Sequence, residues 1–392
     1  MKKLIYMDNA ATTPTRQEVL DDMLPYFNIQ YGNPSSVYSL GSRSRTAVEK
    51  SREIIGNMIN AGEREIFFTA GGTEADNWAV RGVAYANKDK GNHIITSKVE
   101  HQGIIHTCEY LEKQGFAVTY LDVDEYGIVD LEQLEESITD ETILISIMFA
   151  NNEIGTVQPI KEIGEIAKER NIYFHTDAVQ AIGNIRIDVD ELNIDMLSMA
   201  AHKFHGPKGI GALYIRRGVK IDPLIIGGGQ ERNRRAGTEN VPGIVGMGKA
   251  IELAYENLDE KNEKLIQLRE RLIKGIFDNI DHVRLNGHPT KRLPGNVNIC
   301  FEFIEGESLL LSLDMEGIAG SSGSACTSGT LEPSHVLLSI GLPHEIAHGS
   351  LRLSLGDNNT AEEVDYVVEK LVGIVSRLRA MSPLYEQFKG GN

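Results

Sequence analysis

The chain has 392 residues, 41% of them hydrophobic and 24% charged, and a formal net charge of −17. That length and mix suit two or three globular domains with a sizeable buried core. The acidic balance excludes a general nucleic-acid binder, because phosphate backbones are repelled. Three scattered cysteines, Cys108, Cys300 and Cys326, with no CxxC spacing, exclude a disulfide framework and a structural zinc site.

The opening MKKLIYMDNAATTP has a short apolar run before Asp8, too short and too polar for a signal peptide. No stretch approaches about 18 uninterrupted apolar residues, so no membrane span is expected. A cytoplasmic setting is the expectation. Further along, short apolar runs alternate with amphipathic stretches. EIFFT (65–69) precedes a helical pattern over 73–88, and HIITS (93–97) precedes one over 102–115. TILISIMF (142–149) precedes one over 161–170, and IYFHTDA (172–178), DMLSMA (195–200) and GIGALYIRR (209–217) follow. This alternation predicts an α/β fold with a mostly parallel central sheet. Ligands sit at the carboxyl ends of strands in such sheets, so the residues after each run are the candidates.

After about residue 250 the texture changes. Residues 256–277 read as one charged helix with a narrow apolar stripe. NVNICFEF reads as a strand, ESLLLSLDMEG as a helix, and a Gly/Ser loop follows. The closing helix opens at Thr360 with Glu363 at the capping-box spacing. This half is expected to form a second, smaller α/β domain.

The strand ends carry the chemistry-bearing residues. EIFFTAGGTEADN sets a strand, a glycine pair, Thr73 and a helix in the order that aims backbone N–H groups at a phosphate. It lacks the spacings of a P-loop or a dinucleotide fingerprint. His101 follows HIITS, and Asn151 and Asn152 follow TILISIMF. Asp177 ends IYFHTD, with Gln180 three residues on; an acid leaving an apolar strand needs a cationic partner or serves as a helix cap. Lys203 follows DMLSMA beside His202 and a Gly/Pro turn. A lysine at the end of a buried strand loses its proton more readily and forms imines. Pyridoxal phosphate would pair such a lysine with an acid at its pyridinium nitrogen. Cys326 lies among small polar residues that no core would choose, which predicts an exposed, mobile loop and a nucleophilic thiolate. Arg352 lies in the strand-like GSLRLSLG and needs an anion. HEIAH, from His344 to His348, has the zinc-protease spacing, but Pro343 and Gly349 leave too little helix for it.

Together these segments resemble the cysteine desulfurases of the class V aminotransferase family. The resemblance runs from YMDNAATTP and YGNPSS through GGTEADN, VEH, NNEIGT, HTDAVQ, HKFHGPKG, GGGQER and AGTEN to SSGSACTS and LRLSLG. It implies an aminotransferase-like large domain over residues 15–255. Residues 1–14 and 256–392 would form a small domain carrying the Cys326 loop. It also implies pyridoxal 5′-phosphate bound as an imine to Lys203. Asp177 would meet the ring nitrogen, Gln180 the phenolic oxygen, and His101 would stack on the ring and shuttle protons. Gly72, Thr73 and His202 would hold the phosphate with Thr238 from the second subunit of a homodimer. Asn152 and Arg352 would hold the carboxylate of L-cysteine, and Asn152 would also lie near the phenolic oxygen. Cys326 would take the sulfur as a persulfide for an iron–sulfur scaffold or another acceptor, leaving alanine. Two positions depart from the family's pattern: Ala200 replaces a hydroxyl residue that contacts the phosphate, and Tyr38 replaces a histidine. The alternatives are another enzyme of the same fold (an aminotransferase or a selenocysteine lyase) and a non-catalytic component in which Cys326 ligates iron with a partner.

Overall fold

The computed structural model of the protein describes residues 4–322 and 333–390, and among these described residues twelve strands follow in chain order. They are β1 (Ile5–Tyr6), β2 (Ile66–Thr69), β3 (His93–Ser97), β4 (Ala117–Leu121), β5 (Thr142–Ser146) and β6 (Tyr173–Asp177). Then come β7 (Met196–Ala200), β8 (Gly211–Ile215), β9 (Val283–Leu285), β10 (Asn296–Phe301), β11 (Ile318–Ala319) and β12 (Ser350–Ser354). Cys326 lies outside the described residues.

A seven-stranded sheet runs in the order β2-β8-β7-β6-β5-β3-β4. Pairs among β7, β6, β5, β3 and β4 are parallel, whereas β8 is antiparallel to both neighbours. The link from β7 to β8 is too short for the crossover that a parallel pair requires, so β8 turns back. Each strand divides its side chains between two cores because successive residues face opposite ways. Ile66, Phe68, Ile95, Ile145, Phe174, Leu197, Met199 and Tyr214 enter one cluster, with Val48 and Ile55 of the helix Ser39–Met58 and Met247 and Ile251 of Val241–Glu256. Phe67, Ile94, Leu144, Met196, Leu213 and Ile215 enter the other, against Trp78, Val80 and Val83 of the helix Gly72–Ala86. Apolar runs flanked by helices on both sides thus become a covered sheet.

A three-stranded antiparallel sheet, β12-β10-β9, backs a separate core. That core joins Val297, Ile299 and Leu351 to Leu265, Leu272 and Ile276 of the helix Leu258–Asn279 and to Val364, Val367 and Leu371 of Ala361–Ala380. Ile5 and Met7 belong to it too, since β1 pairs with β11. The stretch 256–277 is not a single continuous helix from its start. Val241–Glu256 ends first, Asn257 leaves helical geometry (φ −127°, ψ 41°), and Leu258–Asn279 begins anew. Thr360 does cap the closing helix, its Oγ1 accepting the Glu363 N–H at 3.3 Å. Among the described residues no helix is long and apolar enough to cross a membrane.

Candidate active site

The carboxyl ends of β2, β3, β5, β6 and β7 lie along one edge of the large sheet, as the pairings dictate. Gly72 and Thr73 open the helix Gly72–Ala86 just after β2. No side chain caps that helix end, so its first-turn N–H groups remain available to an anion. A Cβ on Gly72 would lie 2.8 Å from Val179 Cγ2, so only glycine lets this turn approach the loop after β6.

Asp177 closes β6 and is buried. Its Oδ1 accepts the Val179 N–H at 2.9 Å. Burial raises its pKa, while His101, the Val179 N–H and Lys203 pull it back down. His101 caps the helix Gln102–Glu112 through Nδ1, which accepts the Gly103 N–H at 3.0 Å. Burial lowers the His101 pKa, with Asp177 opposing and Lys203 and His106 adding to the effect. A neutral imidazole whose Nδ1 accepts must carry its proton on Nε2.

Lys203 follows β7 in a short 3₁₀ turn, Ala201–Lys203. Its Nζ donates to the carbonyls of Ala10 and Ala11, the latter at 2.8 Å. Gln180 Nε2 donates to the same Ala10 carbonyl at 2.9 Å. The amino-terminal segment therefore holds Lys203 and Gln180 at one point, a contact that no local motif shows. His202 Nδ1 is 3.2 Å from Thr12 Oγ1, and burial together with Lys203 and Lys208 draws its pKa down to about 4. It is thus an uncharged hydrogen-bonding group at neutral pH.

After β5 the two asparagines separate in role. Asn151 builds the turn: Nδ2 donates to the Val99 carbonyl, and Oδ1 accepts from the Glu153 and Ile154 N–H groups. Asn152 presents its carbonyl to Arg352 Nη1 at 3.0 Å. Arg352, in β12, is 3% exposed and pairs through Nη2 with Asp8 at 2.9 Å. Its buried Nε has no partner among the described residues. The guanidinium is thus paired on one side and retains a donor for a second anion.

Thr238 is exposed, and among the described residues no hydrogen bond joins it to another site residue. His344 opens the single turn His344–Ala347 and His348 follows it, both exposed, so they offer no buried metal cage. Sequence reasoning missed Asp8, Asp76 and Glu100. Asp76 had a legible signal: a carboxylate on the apolar stripe of its helix, between Ala75 and Ala79. A cleft of about 790 Å³ lies at the opposite edge, lined by Thr142, Ile143, Ile172 and Tyr173 at the amino ends of β5 and β6. Size does not mark the site; the converging titratable groups do.

The residues present suit pyridoxal phosphate. They offer an amine, a buried carboxylate, a neutral imidazole and an uncapped helix N-terminus beside a glycine, all on one sheet edge.

The family model for aminotransferase class-V matches residues 5–367. The chain is 64% identical over 390 residues to cysteine desulfurase IscS of Clostridium botulinum (strain Hall), covering 99% of this chain and 98% of the relative. It is 63% identical over 382 residues to cysteine desulfurase IscS of Methanosarcina thermophila, covering 97% and 94%. Among solved structures, a NifS-like protein superposes with a TM-score of 0.90 at 40% identity, covering 96% of this chain and all of the other. SspA in complex with cysteine superposes with a TM-score of 0.81 at 39% identity, covering 91% and 99%.

Proposed function

We propose, from the premise that this chain belongs to the aminotransferase class-V family and is a pyridoxal-phosphate-dependent cysteine desulfurase, that Cys326 receives the sulfur of L-cysteine as a persulfide. The single observation that carries the residue assignment is the gathering of Lys203, Asp177 and His101 on one sheet edge, each placed by a different strand. When bound, pyridoxal phosphate supplies an electron sink that stabilises negative charge at the substrate's α-carbon.

The chain's own residues then divide the work. Lys203 Nζ is the amine that tethers the cofactor. Asp177 is the carboxylate that keeps the ring nitrogen protonated. His101 delivers a proton from Nε2, the nitrogen that its contact with Gly103 leaves protonated. Gly72, Thr73 and His202 hold the phosphate. Gln180 faces the phenolic oxygen, with Asn152 nearby. Arg352 and Asn152 bind the substrate carboxylate, Arg352 through the Nε that Asp8 leaves unoccupied. At Cys326 the thiolate attacks the substrate sulfur: an S–S bond forms and the C–S bond breaks. The electron pair stays with the carbon fragment, which takes a proton and leaves as alanine.

The working form is a homodimer, with Thr238 reaching the partner's phosphate site. Leu24, Phe27, Ile29, Tyr31 and Val37 are exposed within one short stretch, and Val37 is 98% exposed, as expected of a surface that a second copy covers. In the same reading residues 15–255 form the large domain around both cores of the seven-stranded sheet, and residues 1–14 and 256–392 form the small domain, a division supported by Ile5 and Met7 lying in the separate core with the carboxy-terminal third. The setting is cytoplasmic, and the persulfide goes to an iron–sulfur scaffold or another thiolation acceptor.

Incubation with L-cysteine and quantification of alanine and protein-bound sulfur tests this. Wild type should form both. Cys326→Ala should retain the cofactor and bind cysteine but release no sulfur. Normal turnover by that variant would remove Cys326 from the reaction.

A further inference from the structure

Asp76 lies on the helix Gly72–Ala86, whose first turn forms the glycine cradle, and is 1% exposed among Ala75, Trp78, Ala79 and Val80. One oxygen of Asp76, one of Asp177 and a ring nitrogen of His101 all lie within 4.8 Å of one another. Two carboxyls this close and this buried cannot both be charged without a cation between them.

The surroundings decide which one keeps the charge. Asp177 accepts a backbone N–H and faces Lys203 and His101. Asp76 is hydrogen-bonded to the neutral hydroxyl of Ser198, and its Oδ1 has no partner among the described residues. His175, fully buried in β6, stands 3.8 Å from that oxygen, beyond hydrogen-bond reach. Its ring nitrogens are engaged at 2.9 Å by Ser146 Oγ and Ser198 Oγ. Burial draws the His175 pKa down to about 3, so it brings no compensating charge. The remaining titratable neighbour, Glu100, is itself an acid whose charge would repel. Burial and Asp177 together raise the Asp76 pKa well above the ordinary carboxylate range.

We propose that Asp76 is a positioning residue that holds a proton beside Asp177, so that the buried pair carries one negative charge and Asp177 bears it. This rests on the reading of Asp177 as the partner of the cofactor's ring nitrogen. A neutral acid fills the space beside Asp177 without competing for the ring's proton. A second carboxylate there would add a rival acceptor.

Infrared difference spectra of the holoenzyme, wild type against Asp76→Asn, read the proton directly. Wild type at neutral pH should show the carbonyl band of an undissociated carboxylic acid that Asp76→Asn lacks. Asparagine matches the neutral acid in shape and charge, so D76N should hold pyridoxal phosphate within about threefold of wild type. The pH midpoint of its visible band should stay within about 0.3 units. Asp76→Ala should weaken cofactor binding at least about tenfold, with Asn rescuing it; should the alanine variant fail to fold, the spectra and D76N still decide. A wild type with no acid band assignable to position 76, or a D76N midpoint displaced by about one unit or more, overturns the proposal. A wild type that takes up no pyridoxal phosphate at all fails the underlying reading instead, and the infrared band remains measurable without it.

Discussion

Ala200→Ser tests the phosphate cradle with one added oxygen. Ala200 is 1% exposed, closes β7 and stands three residues ahead of Lys203. A Cβ built on Gly72 would lie 3.6 Å from its Cβ, so position 200 borders the helix end assigned to the phosphate. A hydroxyl there would donate to a charged acceptor, an interaction worth about 1.5–3 kcal/mol. At about 1.4 kcal/mol per tenfold, pyridoxal phosphate should bind roughly 10- to 150-fold more tightly. The same hydroxyl has no assigned partner when the phosphate is absent, so the cofactor-free variant should lose about 1 kcal/mol or more of stability. The gain should appear only in the loaded form. Titration of the cofactor-free protein with pyridoxal phosphate, followed by the visible band, gives the dissociation constant, and urea unfolding of both forms gives the stabilities. Ala200→Val, which adds bulk without a donor, should show no tightening. A serine variant whose dissociation constant stays within about threefold of wild type would place the phosphate elsewhere and refute the reasoning.

Two further outcomes follow from buried charge. Arg52 and Glu231, with side chains 3% and 4% exposed, form a two-pronged pair at 2.8 and 2.9 Å, and Glu231 also accepts the Phe68 N–H. Glu231→Gln strands the guanidinium, with Glu49 3.3 Å from its Nε as partial relief, and should cost about 3–5 kcal/mol in urea unfolding; a loss below about 1 kcal/mol would contradict this. Glu100, whose Oε1 accepts from Ser97 and the Met148 N–H, is pushed up by burial to about 8 from 4.5. Between those values the folded state binds the extra proton, so stability falls as pH rises, by up to about 1.4 kcal/mol per unit. Below 6.5 the depressed His175 acts with the opposite sign, because there the unfolded chain binds the extra proton. Glu100→Gln should therefore flatten the decline in urea midpoint between about pH 6.5 and 8, and an unchanged slope would show that Glu100 is not its source.

The amino-acid sequence by itself determined the alternation of apolar runs and amphipathic stretches, and so the covered, mostly parallel sheet. It also placed Asp177 at the end of a strand and Gly72, His101, Asn152 and Lys203 within a few residues after strands, because these are local properties of periodicity and turn chemistry. It left β4 unread, since an edge strand with one paired side and half-exposed residues has only a weak apolar signature. It also missed the interruption at Asn257, where a single residue leaves helical geometry inside a continuous amphipathic pattern. Only the tertiary structure decided that Ala10 receives both Lys203 and Gln180, that Asp8 occupies one side of Arg352, and that Asp76 stands beside Asp177. Those contacts join residues up to 344 positions apart. Periodicity and turn chemistry act over a few neighbours, whereas the burial and charge that give these groups their protonation states exist only once distant segments pack together.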